Sequence, residues 1–252
     1  MLKTRVMPTL LFDRVGLVKG VGFDSWRRVG SAMQAVKVYN MRQVDELVFL
    51  DINATRTNSG PDLETIDELA NECFMPMTVG GGVRDLDDVR NLLKVGADKV
   101  AINTSAIHNL KLITQAANRF GTQCIVVSID FKQHSDGRYE VFTTSGTKAT
   151  GLDPVQLAVD AQAAGAGEIL LTSIERDGSM TGYDVKLTQA VCEQVTIPVI
   201  ASGGAGEYSH MLEVLKQGGA SAVAAASMFH YTQHTPMEAK AFLKKNGVAT
   251  RL

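Results

Sequence analysis

Little in this chain points to a membrane, a charged partner or an oxidising compartment. Its three cysteines, Cys73, Cys124 and Cys192, are an odd number set far apart, so they supply neither a disulfide framework nor the paired spacing of a zinc site. Each stands in a largely apolar neighbourhood, and the pattern reads as three reduced core thiols in a cytoplasmic protein. Net charge is only −2, which removes a global basic field for nucleic acid or an anionic membrane. No apolar run approaches the ~20 residues a spanning helix needs. The opening M-L-K-T-R-V-M-P-T-L-L-F lacks the apolar length and the small-residue cleavage site of a secretory signal. Histidines are few, and the one close pair, His230 and His234, has no Glu between its members. His230, after Met228-Phe229, reads as a packing residue more readily than as a metal ligand. No metal and no organic cofactor is expected.

What the chain does have is a rhythm. Short apolar runs alternate with amphipathic stretches from end to end, and eight strands are predicted: Arg5 to Leu11, Leu47 to Ile52, Met77 to Val79, Val100 to Asn103, Ile125 to Asp130, Ile169 to Ser173, Val199 to Ser202 and Ala222 to Ala226. Helical stretches lie between them, among them Gly60 to Glu72, Leu86 to Val95 and Asp153 to Ala164. Strands buried on both faces and separated by single helices demand a parallel sheet with right-handed crossovers. Eight such units in 252 residues match an α/β fold of the closed (β/α)8 barrel type better than an open sheet. One insertion breaks the rhythm, His134 to Gly146, which reads as a hairpin grafted after the fifth strand.

The rhythm also repeats. I-P-V-I-A-S-G-G from Ile197 to Gly204 answers M-P-M-T-V-G-G-G from Met75 to Gly82, with Pro76 lying 122 residues before Pro198. Glu46-Leu-Val-Phe-Leu-Asp51 parallels Glu168-Ile-Leu-Leu-Thr-Ser173 at the same spacing, and Gly96-Ala97 parallels Gly219-Ala220. Two half-barrels, about 1–122 and 123–252, account for the whole, and no Pro-, Ser- or Gly-rich linker divides them, so one domain over 1–252 is expected.

In such a barrel the site lies at the C-terminal ends of the strands. Those ends carry Asp51, Gly80-Gly81-Gly82, Asn103-Thr104, Asp130, Asp177-Gly178, Ser202-Gly203-Gly204 and Ala226-Ser227. The glycine pairs either turn tight loops or open the backbone to anions. Because each is followed by a strand end bearing Ser or Thr, two anion sites across one mouth is the reading adopted, and the implied ligand is phosphorylated at both ends. Asp130 is the leading catalytic candidate, as a carboxylate able to take or give a proton. The alternatives for it are a helix cap or a partner for the hairpin. The equivalent position in the first half is Leu11, which transfers no proton. Asp13 is a weaker stand-in, sharing the face of Leu11 only if the strand continues that far. Lys19, flanked by Gly20 and Gly22, reads either as a cation on a mobile lid or as an ordinary basic loop. At the opposite strand ends, Arg5, Glu46, Lys99 and Glu168 are either solvated or gathered on the axis as a ring that gates the barrel.

The chain resembles, over essentially its whole length, the cyclase subunit of imidazole glycerol phosphate synthase, the HisF-type family. The resemblance rests on Glu46 to Ile52, Thr78-Val-Gly-Gly-Gly-Val83, Gly96-Ala-Asp-Lys-Val100, Gln123-Cys-Ile-Val-Val127, Gly165 to Ser173, Arg176-Asp-Gly178, Gly182-Tyr-Asp184, Ile197 to Gly206 and the terminal Arg251-Leu252. It implies a barrel that takes ammonia from a glutaminase subunit at its N-terminal face and uses it on a bis-phosphorylated ribulosyl formimino carboxamide ribonucleotide. By position it implies that Gly82, Asn103 and Thr104 hold one phosphate, that Gly178, Gly204, Ala226 and Ser227 hold the other, and that Arg5, Glu46, Lys99 and Glu168 are the ammonia gate. The family's two acid-base carboxylates would fall at positions 11 and 130, and here position 11 is Leu. An apolar residue there is similar to a paralogous branch, the acetamidino-modification proteins of surface polysaccharide synthesis. Leu10-Leu11, Val15 to Lys19, Glu72 to Pro76 and Gly218 to Ala225 resemble that branch as well. Thr78-Val79 and Arg251-Leu252 look like the synthase proper. The paralogous branch is preferred, with ammonia delivered to a sugar-modifying partner; the authentic cyclase, a non-catalytic ammonia conduit and an isomerase of the same ancestry that uses no ammonia are the alternatives.

Overall fold

Runs such as Ile125-Val-Val-Ser-Ile129 are apolar on both faces apart from one Ser, and in the computed structural model, which describes residues 3–251, both faces are buried. Twelve strands occur among the described residues: β1 (Arg5–Phe12), β2 (Leu17–Val21), β3 (Asp24–Gly30), β4 (Leu47–Asp51), β5 (Met77–Gly80), β6 (Lys99–Ile102), β7 (Ile125–Gln133), β8 (Tyr139–Thr143), β9 (Lys148–Ala149), β10 (Glu168–Ser173), β11 (Val199–Ser202) and β12 (Ala222–Ala225). Eight of them pair in parallel in the order β1, β4, β5, β6, β7, β10, β11, β12, and β12 returns to β1, so the sheet closes. The fold is a (β/α)8 barrel with helices around the outside. Met1, Leu2 and Leu252 lie outside the described residues, so the terminal Arg251-Leu252 match is represented by Arg251 alone. Among the described residues no helix is long and apolar enough to cross a membrane.

Local chemistry sets the helix ends. Asp85 accepts from the amides of Asp87 and Asp88 to start the helix Leu86–Lys94, two acids occupy its first turn, and Lys94 sits against its negative end. The stretch expected from Gly60 begins later, at Leu63, because the Asp62 side chain caps it by accepting from Thr65 N while Gly60 takes a left-handed φ of 70° in the preceding loop. All three cysteines are free, as expected, and pack against the main core, though each is half-buried and not fully enclosed. Cys73 caps a helix end at the surface layer and Cys192 rides on the helix Val185–Gln194.

The expected single insertion is in fact one of two. β8 and β9 extend β7 as foreseen, and β2 with β3 forms a matching hairpin on β1. Asp24–Gly30 is polar or exposed along nearly its whole length, so it has no apolar face for periodicity to reveal. Each hairpin reaches across to the other half-barrel. Gly22 N donates to Asp177 O at 2.8 Å, whereas Ser145 Oγ donates to Ile52 O at 2.7 Å.

Strand register makes the duplication concrete. Leu11 lies opposite Leu50 and Asp130 opposite Thr172, and Leu50 and Thr172 are 122 residues apart, so Leu11 and Asp130 occupy equivalent positions. Inside the barrel the side chains are stacked in layers. Charged Arg5, Glu46, Lys99 and Glu168 lie at the N-terminal end. An apolar cluster that includes Met7, Val48, Val126, Leu170 and Ile200 follows, and then hydroxyls that face the mouth.

Candidate functional site

The strand ends open into one cavity whose empty space, mouth included, is about 1140 Å³, ample for a ligand of drug size or larger. The structure brings Asp51, Gly82, Asn103, Thr104, Asp130, Asp177, Gly178, Ser202, Gly204, Ala226 and Ser227 to its wall. Two of the expected residues are not there.

Lys19 is the first. It lies on β2, paired with β3, and its side chain is fully buried in contact with the Asp177 carboxylate. A cation neutralised and enclosed in this way is a fixed support for Asp177 and not part of a mobile lid. Gly20 belongs to the same construction, since a Cβ there would lie 1.9 Å from Asp24 O at the irregular turn of the hairpin. Asp13 is the second. The chain leaves the strand at Phe12, and the Asp13 carboxylate accepts from Val15 N and Gly16 N at 3.0 and 2.9 Å, capping its own turn outside the cavity. Asp13 therefore does not replace a carboxylate at position 11.

Asp130 is exposed only to the cavity it lines, and dense protein surrounds it. Desolvation, with the nearby charge of Asp177 as a second cause, pushes its carboxyl up to about 7, against a smaller opposing effect of the Ser128 hydroxyl. Asn103 Nδ2 donates to Asp130 Oδ2 at 3.3 Å and to Ser128 O at 3.0 Å. A carboxyl poised near neutrality at the floor of a cleft can give or take a proton. Asp51 is committed elsewhere: it accepts from Asn53 N and Ala54 N at 2.9 Å and pairs with Arg14 Nε at 2.8 Å.

The two glycine loops face each other across this floor. Gly82 has φ 71° and Gly204 φ 109°; a Cβ at Gly204 would sit 2.1 Å from Gly182 O. Glycine is thus required by close backbone packing as well as by any anion. Beside Gly82, Thr104 Oγ1 donates to Asn103 Oδ1 and accepts from Thr144 N, both at 3.1 Å. Beside Gly204, the buried Ser227 Oγ has no hydrogen-bond partner among the described residues.

At the other end of the axis the four charges do meet. Arg5 Nη1 lies 2.6 Å from Glu46 Oε2 and 3.0 Å from Glu168 Oε1, and Lys99 Nζ lies 2.9 and 3.1 Å from the same two carboxylates. Thr78 Oγ1 adds a hydrogen bond to Glu46 at 2.7 Å. Burial alone would raise the Glu46 carboxyl, but Arg5 and Lys99 outweigh it and hold the group below its ordinary value. The ring is closed and nearly self-neutral.

Several wall residues escape a reading of strand tips alone. Thr9 and Ser128 lie two residues before Leu11 and Asp130, where strand alternation could have found them; Phe23 and Trp26 reach the cavity only because β2 and β3 fold over it. His230 is half-buried and desolvation lowers its pKa, in keeping with a packing role. A comparison with protein-family models matches residues 5–235 to the family described as histidine biosynthesis protein.

Proposed function

The chain belongs to the histidine biosynthesis protein family, and from that premise we propose that it is the barrel subunit of a glutamine amidotransferase system. Ammonia enters from a glutaminase subunit docked at the N-terminal face, passes the ring of Arg5, Glu46, Lys99 and Glu168, crosses the apolar interior and emerges beneath Asp130. The observation that carries this reading is the ring itself: four charges closed on the axis of a barrel whose opposite end is a ligand-sized cavity. A barrel that rearranges its substrate without ammonia has no use for such a device.

At the mouth, Gly82 with Asn103 and Thr104, and Gly204 with Gly178, Ala226 and Ser227, hold the two ends of a phosphorylated substrate. With Leu11 in place of a second carboxylate, delivery of ammonia to a sugar-modifying partner of the acetamidino type is preferred over ring closure in the barrel itself. The cyclase of histidine biosynthesis is the second reading, and the carboxyl of Asp130, raised to about 7, favours it.

The test supplies nitrogen either as glutamine through a co-purified glutaminase or as a saturating ammonium salt, with the ribulosyl bis-phosphate as acceptor and the sugar-modifying partner with its sugar in parallel. The isolated chain is expected to hydrolyse no glutamine, since burial raises the thiols of Cys73 and Cys192, the latter to about 11. Lys99→Met should lower glutamine-driven product about tenfold or more and leave ammonium-driven product nearly unchanged. An equal loss with both nitrogen sources would remove the gate.

A further inference from the structure

Large apolar side chains exposed one at a time are ordinary on a protein surface, but a group of them gathered at one place marks a contact surface. Val21, Met180 and Tyr231 are 55, 36 and 49 % exposed, and three separate segments bring them to one edge of the cavity mouth. Val21 ends β2, where a Cβ at Gly178 would lie 2.9 Å from the Val21 Cα, so Met180 stands two residues beyond that contact. Tyr231, at the end of the helix Ser227–Tyr231, donates from Oη to Lys19 O at 3.3 Å, two residues before Val21. Gly178 and Ser227 line the cavity, whereas the three apolar residues belong to its outer rim. Met180 also holds φ at 58°, a left-handed conformation that is costly for a long side chain and that folded chains keep mainly at functional places. Beside them β3 carries Arg27 and Arg28, both exposed; Arg28 lies 3.6 Å from Asp13, and Arg27 has no carboxylate partner among the described residues. An apolar centre edged with arginine is the usual anatomy of a protein contact.

We propose that this edge of the mouth is the docking surface for the enzyme that receives the ammonia, with Val21, Met180 and Tyr231 seated in an apolar patch of that enzyme and Arg27 and Arg28 against its acidic residues. The inference rests on the reading in which ammonia leaves the barrel for a sugar-modifying partner. Ammonia released into water takes up a proton and loses the lone pair with which it attacks, so an acceptor that uses it has to cover the mouth from which it emerges. A barrel that closes a ring inside its own cavity needs no such cover.

The acceptor for the test is the sugar-modifying enzyme purified by its own activity with an ammonium salt, and the barrel is used as its complex with the glutaminase. Calorimetric titration should show binding to the wild type that weakens about tenfold or more in Val21→Asp and in Met180→Asp, since each buries a charge at the centre of the contact. Arg27→Glu should weaken it as well and flatten its dependence on salt. Val38→Asp, a similarly exposed change on the helix Ala32–Met41, should bind as the wild type does. With glutamine as the nitrogen source, the wild type should form sugar product to match the glutamine consumed. Met180→Asp should consume as much glutamine but form several-fold less product, the rest appearing as free ammonium. Acceptor affinity and coupled product that survive all three rim substitutions would overturn the docking surface and leave ammonia delivery standing. Loss of self-association of the barrel instead, with acceptor binding intact, would give the surface to a second copy of this chain and equally overturn it. A wild type that does not feed the acceptor from glutamine would remove the delivery reading, and this proposal with it.

Discussion

In the second half-barrel Ser128 Oγ lies 3.5 Å from Asp130 Oδ1, and in the first the same two positions carry Thr9 and Leu11. A carboxylate placed at position 11 would thus find a hydroxyl donor already waiting beneath it. General acid-base groups contribute ~100- to 10,000-fold to rate, so Leu11→Asp is expected to raise cyclase turnover at least about tenfold with saturating ammonium and the ribulosyl bis-phosphate. Robust turnover by the wild type, not improved by the substitution, would show that Asp130 suffices alone. Asp130 also ties stability to pH. Its carboxyl is raised from an ordinary 3.8 to about 7, so between those values the folded chain holds a proton that the unfolded chain has lost, and stability falls as pH rises through that window. Asp130→Asn should therefore melt higher than the wild type at pH 8, by on the order of 2 kcal/mol once its exposure to the cavity is discounted, and nearly equal to it at pH 4. The same difference at both pH values would argue against a raised carboxyl.

Elements differed in how plainly the sequence announced them. The barrel strands were legible because burial on both faces leaves a continuous apolar run, and the charges at Arg5, Glu46, Lys99 and Glu168 stood out because each interrupts or abuts one. Their closure into a ring was not legible, since it depends on barrel radius and side-chain reach. The hairpin of β2 and β3 was missed for the opposite reason. It covers the cavity with Phe23 and Trp26 but buries too little of its own outer face to leave a pattern, and the glycines around Lys19 mimic a flexible loop. Lys19 is in truth among the most enclosed side chains in the molecule, and its partner Asp177 lies 158 residues away in sequence. Asp13 stands where the sequence allows two readings, since Asp13-Arg14-Val15-Gly16 looks more like loop than strand; β1 does stop at Phe12, and the carboxylate is consumed by its turn.

At the scale of the whole molecule, the duplication was readable from the recurring glycine loops, and register adds that the two halves kept their frame while their chemistry diverged at positions 11 and 130. The crossed hairpins bind those halves in a way that bears on how the chain reaches its final shape. Contacts across the barrel rim join residues 158 and 93 positions apart, Lys19 with Asp177 and Ser145 with Ile52. Distant pairings pay their loop entropy before they gain anything, so the rim is expected to assemble after the strands beneath it and to be the first part to open. Hydrogen exchange gives the measure: the Gly22 and Thr144 amides, bonded across the rim, should exchange well before those of Val126 and Leu170 in the wall, and comparable protection at both would mean that rim and wall fold as one unit. A ligand that spans the mouth would then act as the last fastener, slowing exchange at the rim far more than in the wall.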